Sequence, residues 1–213
     1  MARTLKVDVF TDVVCPWCLV GSVRLDKALA ALPDDVDVIV ENHPYYLDAS
    51  TPKEGLVVAD MMRQRYGREP TEMWERVESE ARKSGIALQL AKQPRMYPTA
   101  KAHTLTRLAK PLGNQHEFAN AIADAYFLDH RDIHDDNVLA DLAVEFGFDR
   151  GDALDAMNDE NELAITEQLA TQATQQGIKG VPFFVFGEKY ALSGAQPQEV
   201  FEHALAQSLA ELD

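Results

Sequence analysis

Asp12-Val13-Val14-Cys15-Pro16-Trp17-Cys18 holds both cysteines of a 213-residue chain, three positions apart, and its reading decides the fold. Pro16 suits the first position of a helix, where the missing N–H would have had no partner, so Cys15 stands at or just before a helix N-terminus. Positions i and i+3 of a helix carry Cβ atoms about 5–6 Å apart, close enough for a disulfide to open and close with little backbone movement. Unpaired N–H groups and the helix dipole favour a thiolate at Cys15 by up to about 2 kcal/mol. Cys18, one turn further in, has less access to those donors. Cys15 is therefore the expected attacking thiol, and Cys18 the thiol that resolves a mixed disulfide.

Two other uses of such a pair compete with this one. A structural zinc needs four ligands, and His130 and His134, the histidines with suitable spacing, lie far from the cysteines along the chain. A static disulfide would close so short a loop that its entropic stabilisation would be small. No metal is expected at the pair.

Composition narrows the partners. Asp and Glu number 35 against 20 Lys and Arg, a formal net charge of -15 with no basic block. Nucleic acid is not an expected partner, because phosphate binding depends on a basic footprint. The acidic excess reads as a solvated surface, with Asp132, Asp135 and Asp136 as helix-start caps and a cation-binding cluster as the alternative reading. The first residues interrupt any signal-like apolar run, and no apolar stretch approaches membrane-spanning length, so the expected location is cytoplasmic, with no membrane partner. Disulfides are seldom structural there, which favours a redox use for the pair.

Around the motif, Leu5, Val7 and Val9 alternate with Lys6, Asp8 and Phe10, a strand running into the cysteines. The helix that follows carries Leu25, Leu29 and Leu32 and stops at Pro33, and Val36, Val38 and Val40 form a second strand. Strand-helix-strand implies a parallel pair with a right-handed crossover. Cys15 then sits at the C-terminal edge of the first strand, where open α/β sheets place their chemistry.

From residue 51 to 157 the pattern is helical, with no convincing strand. Thr51-Pro52 to Gly67 reads as one helix, and Thr71 to Gly85 as a second, carrying Met73, Trp74, Val77 and Ala81. Further helices cover 100–109, 117–127 and 136–146, while Ile86, Leu88 and Leu90 are too few to assign. A long helix from Glu160 ends at Gly177. Gly180-Val181-Pro182 follows, then two apolar runs, Phe183–Phe186 and Lys189–Leu192, joined by Gly187-Glu188 as a hairpin. Pro197 starts a last helix with Val200, Phe201, Leu205, Leu209 and Leu212 along one face.

Cys15-Pro16-Trp17-Cys18 after a first strand, a helical insertion, and Gly180-Val181-Pro182-Phe183 before a terminal hairpin and helix resemble the DsbA-like branch of the thioredoxin superfamily. Asp12 to Cys18, Ala125-Tyr126-Phe127 with Arg131-Asp132-Ile133, and Tyr190 to Pro197 are similar to its FrnE-type subgroup. The expected architecture is α/β, a thioredoxin-like fold with an all-helical insertion: residues 1–50 and 158–213 form the thioredoxin-like domain, and 51–157 the insertion. The resemblance implies a dithiol-disulfide oxidoreductase with Cys15 and Cys18 catalytic and Pro16 and Trp17 completing the motif. It also implies that Pro182 is cis and faces the pair, with the Val181 backbone free to bond a polypeptide substrate.

No cofactor is implied beyond the redox-active disulfide Cys15–Cys18. The implied partners are protein or peptide thiols and disulfides, together with a small-molecule or protein thiol as redox partner. A reducing cytosol would hold the pair as a dithiol and favour reduction or isomerisation over oxidation. The chain departs from the subgroup in carrying Pro98-Thr99, in place of an Asn-Thr or Asn-Ser pair, before Ala102-His103, and it has no second cysteine pair. His103 reads as a histidine satisfied within the insertion core, with a proton-accepting role at the site as the alternative reading. Two other functions compete: a glutathione-dependent transferase or isomerase of the kappa or hydroxychromene-carboxylate type, whose members have Ser where Cys15 stands, and a non-catalytic polypeptide-binding holdase.

Overall fold

The computed structural model describes residues 3–33, 35–67 and 69–212. Strand β1 (Arg3–Thr11) leads through a short turn into helix α1 (Pro16–Leu29), and strand β2 (Val36–Pro44) returns parallel to β1 with Val7 opposite Val40. Alternation puts Leu5, Val7 and Val9 on one face of β1, all three fully buried.

The middle of the chain is helical, with one addition. A turn closed by the Gly55 N–H on the Pro52 carbonyl (2.9 Å) precedes a two-residue strand, β3 (Leu56–Val57), and helix α2 starts only at Val58 (Val58–Tyr66). Thr51-Pro52 is therefore not a helix start. Leu56 and Val57 stay extended because they pair with Met96 and Arg95 of strand β4 (Arg95–Met96), which follows helix α3 (Thr71–Lys83). Gly55 makes this approach possible, since a Cβ there would lie 2.8 Å from the Met96 carbonyl and its φ is +74°.

Helices α4 (Ala100–Leu108), α5 (Gln115–Phe127), α6 (Asp136–Glu145), α7 (Arg150–Asn158) and α8 (Glu160–Gln175) follow. Asp135, Asp149 and Asp159 cap the last three of these, each accepting backbone N–H bonds from the first turn. Part of the acidic surplus is thus spent on helix starts.

The chain closes with strands β5 (Phe183–Phe186) and β6 (Tyr190–Ser193) and helix α9 (Gln198–Ala210). β5 pairs antiparallel with β1, Val9 facing Phe184, and β6 pairs antiparallel with β5, giving a four-stranded sheet of order β2-β1-β5-β6.

Two apolar clusters meet along α1. Leu25 and Ala28 join Leu5, Val7, Val9, Phe184 and Phe186 of the sheet and Phe201 and Leu205 of α9. Nearer its start, Leu19 and Val20, with Val13 and Val14, pack instead among Leu105, Phe118, Ile122, Tyr126 and Met157 of the helical layer. The cysteine segment therefore lies on the seam between sheet core and helical core. Arg24, itself buried, fastens that seam: it donates to Ser84 Oγ (2.9 Å), to the Ala195 carbonyl (2.8 Å) and to the Glu80 carboxylate (2.7 Å).

Candidate active site

Cys15 occupies the N-cap of α1 with extended backbone, and Pro16 is the first helical residue, as the motif predicts. The Cys15 N–H donates to the Asp12 carbonyl (3.0 Å), and the Cys15 carbonyl accepts from the N–H groups of Cys18 (2.9 Å) and Leu19 (3.3 Å). This turn sets the two sulfurs side by side as free thiols, each about 4% exposed. Burial pushes the Cys18 thiol well up from its ordinary value, and the hydrogen bond and charge of Cys15 add to it. Burial therefore favours the protonated form of Cys18.

Val181 lies against Cys15, and Pro182 lies against α1 at Gly21. The Cys15 thiol points at the Val181 carbonyl (3.8 Å), the Val181–Pro182 peptide is cis, and the Pro182 carbonyl accepts the Gly194 N–H (2.8 Å). The absence of a side chain at Gly21 allows the contact, because a Cβ there would fall 2.9 Å from Pro182 Cγ and 3.0 Å from Phe184 Cζ. Cys15, Pro16, Trp17 and Val181 all line one cleft of about 270 Å³. Its other wall is apolar and soft, with Met61 and Met62 of α2 and Met73 and Trp74 of α3. The Arg76 guanidinium sits over the Trp17 ring at 5.8 Å, and Arg65, also lining the cleft, lies 3.5 Å from Asp48.

Behind the cysteines is a group that the motif does not announce. Asp12 (2% exposed) meets His103 of α4 (4% exposed) at 3.3 Å between Oδ1 and Nε2, and Asp12 Oδ2 accepts the Leu47 N–H at 2.8 Å. His103 is not satisfied within the helical insertion; its partner belongs to the cysteine segment. The Tyr46 ring packs 5.7 Å from the His103 ring, and its hydroxyl is buried without a hydrogen-bond partner among the described residues. Burial, with the charges of Asp12 and Glu167, pushes Tyr46 up to about 12. Burial and the Asp12 charge likewise push Tyr126 upward, while its hydroxyl donates to the Arg95 carbonyl (2.6 Å).

Other polar clusters lie elsewhere. Asp8, Glu41 and His43 converge on β1 and β2, where Lys6 bridges both carboxylates (2.8 and 3.0 Å) and Lys110 reaches Glu41. A larger hollow, about 690 Å³, follows the outer edge of β2 and holds neither cysteine. The smaller cleft is the candidate site because Cys15 of the thiol pair lines it.

Likeness to known proteins agrees with this geometry. The DSBA-like thioredoxin domain matches residues 6–206. An uncharacterised Bacillus subtilis protein, YwbO, is 27% identical over 212 residues, covering 95% of this chain and 96% of its own. The crystal structure of a probable DsbA oxidoreductase from Streptomyces coelicolor superposes with TM-score 0.86 at 33% identity, over 97% of this chain and 91% of that one. The cytosolic disulfide reductase DsbM from Pseudomonas aeruginosa, solved with GSH, shares the fold at TM-score 0.63 and 18% identity, over 97% of this chain and 96% of that one. No helix among the described residues is long and apolar enough to cross a membrane. With its mixed α/β sheet, its thiol pair at a helix start and a family match across nearly its whole length, the chain belongs to the DSBA-like thioredoxin domain family.

Proposed function

We propose that the protein is a thiol–disulfide oxidoreductase acting through Cys15 and Cys18 on protein or peptide disulfides. The observation that carries this reading is the asymmetry of the pair. Cys15 lines the cleft at a helix N-cap, whereas Cys18 stands one turn inside α1, where burial raises its thiol. In the reducing direction the Cys15 thiolate attacks one sulfur of a substrate disulfide, and the other sulfur leaves with the bonding electrons and takes up a proton. Cys18 then attacks Cys15 Sγ, releasing the second substrate thiol. The substrate gains two electrons and the pair becomes a disulfide, which is the only redox group this reading requires. Two equivalents of a small thiol of the glutathione kind, or a protein dithiol, would return it to the reduced state.

The methionine and tryptophan wall supports a polypeptide substrate with an apolar side chain beside its disulfide, since thioethers adapt to varied apolar shapes. The Val181 backbone is the proposed partner for the substrate main chain. Residues 1–50 and 158–213 would then form the redox domain, 51–157 the cover that shapes the cleft, and the cytoplasm the working compartment. Reduction of insulin by the wild type and by Cys15→Ser tests the reading. The wild type is expected to turn over and the variant to be inactive, and turnover retained by Cys15→Ser would overturn the assignment.

A further inference from the structure

Strand β2 is an outer strand of the sheet, and its apolar run Val36 to Val40 lies along the outer edge. Just beyond its end the Tyr45 N–H donates to the Thr11 carbonyl of β1 (3.1 Å). By alternation the odd-numbered residues of β2 turn their backbone groups toward β1, and the even-numbered ones turn theirs outward. Asn42 agrees: its N–H donates to Gln115 Oε1 (3.0 Å), and its carbonyl accepts from Gln115 Nε2 (3.2 Å). For one residue, a side-chain amide of α5 takes the place of a neighbouring strand. Val38 and Val40 present the next outward groups, and no amide follows Gln115 along them among the described residues.

Beside Val38 and Val40 lies the hollow of about 690 Å³. Leu29, Leu32, Val36, Val38 and Val40 give it an apolar floor. Ile39, on the other face of the strand, is 55% exposed, more than any other large apolar side chain among the described residues. The rim is acidic. Glu41 is answered by Lys6 and Lys110, but Asp26 on α1, Asp37 on β2 and Glu117 in the first turn of α5 have no Lys or Arg partner among the described residues. His116 Nε2 (2.8 Å) and Asn120 Nδ2 (3.0 Å) hold the Asp26 carboxylate, which still lines the hollow and is 43% exposed.

We propose that this edge is a docking site for an extended, basic polypeptide segment that adds to β2 as a further strand. Its main chain bonds the outward groups of Val38 and Val40, continuing the row that the Gln115 amide begins. Its Lys or Arg side chains lay their stems along the valines and bring their charges to Asp26, Glu117 and Asp37. A second copy of this chain is the poorer occupant. Two β2 strands paired antiparallel about Ile39 would set each Asp37 against the Glu41 of the other copy, and each chain carries a net charge of -15. The site is separate from the cysteine cleft and does not depend on the thiol–disulfide reading.

Fluorescence anisotropy with a labelled peptide of alternating Lys and Val tests the proposal. The wild type is expected to bind it, less tightly as salt is raised. The matching Glu-Val peptide should bind at least about tenfold more weakly, and so should a Lys-Val peptide methylated at every backbone nitrogen, which keeps its charge but cannot donate to the strand. Val38→Pro removes one outward N–H, a change that an edge strand tolerates, and should weaken binding by about tenfold. Glu117→Lys and Asp37→Lys should each weaken it by about three- to tenfold. A wild type that does not bind the Lys-Val peptide, or binds the Glu-Val or methylated peptide equally well, overturns the proposal, as does undiminished binding by Val38→Pro. If Val38→Pro does not fold, Ile39→Lys, at an exposed position, replaces it, and wild-type binding by that variant overturns the proposal equally. Sedimentation of the wild type should show a monomer; a dimer that Val38→Pro separates would give the edge to a second copy and overturn the proposal as well.

Discussion

Gly21→Ala tests the contact on which the site is built. Gly21 faces the loop that carries Val181, and a Cβ there would lie 2.9 Å from Pro182 Cγ, 3.0 Å from Phe184 Cζ and 3.4 Å from Phe184 Cε2. Neither neighbour yields easily: the proline ring is part of the backbone, and Phe184 is fully buried with its ring edge-on to Phe201 at 4.9 Å. Carbon atoms rest at about 3.5–4.0 Å, so helix and loop must part by about half an ångström or more. In an unhindered helix the change would stabilise by about 1 kcal/mol, whereas overpacking a filled core destabilises by about 1–3 kcal/mol. The sum lies between neutrality and a loss of about 2 kcal/mol. Activity separates the cases more sharply. The same seam holds Cys15 Sγ 3.8 Å from the Val181 carbonyl, where the proposed function places the substrate main chain. Displacements approaching 1 Å reduce rates by up to about 100-fold. Urea unfolding and insulin turnover should therefore show a small stability loss beside a rate loss of about tenfold or more. A variant about 1 kcal/mol more stable, with wild-type turnover, would refute the close-approach argument.

Reduced protein should lose stability in alkali through Cys18. Its thiol is raised in the folded state, so folding is favoured below the unfolded-chain value near 8.5, and that gain falls by about 1.4 kcal/mol per pH unit as pH rises toward the higher folded value. Urea unfolding under reductant at several pH values should show a steeper decline for wild type than for Cys18→Ala; equal slopes would contradict the burial of this thiol. Arg24→Met removes the donors held by Ser84, Ala195 and Glu80 and should destabilise by about 2–4 kcal/mol in the same assay, a figure tempered by the partial exposure of Glu80. Tyr46→Phe deletes a buried hydroxyl with no partner among the described residues and should raise stability by about 1 kcal/mol; a loss of that size would mean the hydroxyl is bonded in solution.

The parts of this molecule legible in its sequence are those set by neighbours along the chain. Pro16 after Cys15 marks the helix start because a proline lacks only an N–H that the first turn does not use. Gly67, Gly147 and Gly177 mark helix ends, and each adopts the left-handed backbone that a stop requires, with φ of 68°, 95° and 92°. The strands β1 and β2 show their period because Leu5, Val7 and Val9 are fully buried and Val36, Val38 and Val40, partly buried, pack against the same core. By contrast, β3 and β4 are two residues each, too short for any period, and exist only because Gly55 lets distant segments meet. Helix α7 was hidden for a related reason: it buries only Ala153 and Met157, and Gly151 weakens its first turn.

The site divides along the same line. The proposed choice of attacking sulfur rests on a local matter, the position of Cys15 at the N-cap of α1, and the motif announces it. What packs behind the pair is not local. Asp12 and His103 are 91 residues apart, and each has an ordinary explanation in sequence, the one as a polar residue after a strand and the other as a core histidine. Only the packing of α4 behind the cysteine turn turns them into one group. That contact, with Asp12 2% and His103 4% exposed, is set by a distant helix and leaves no trace in the local pattern around either residue.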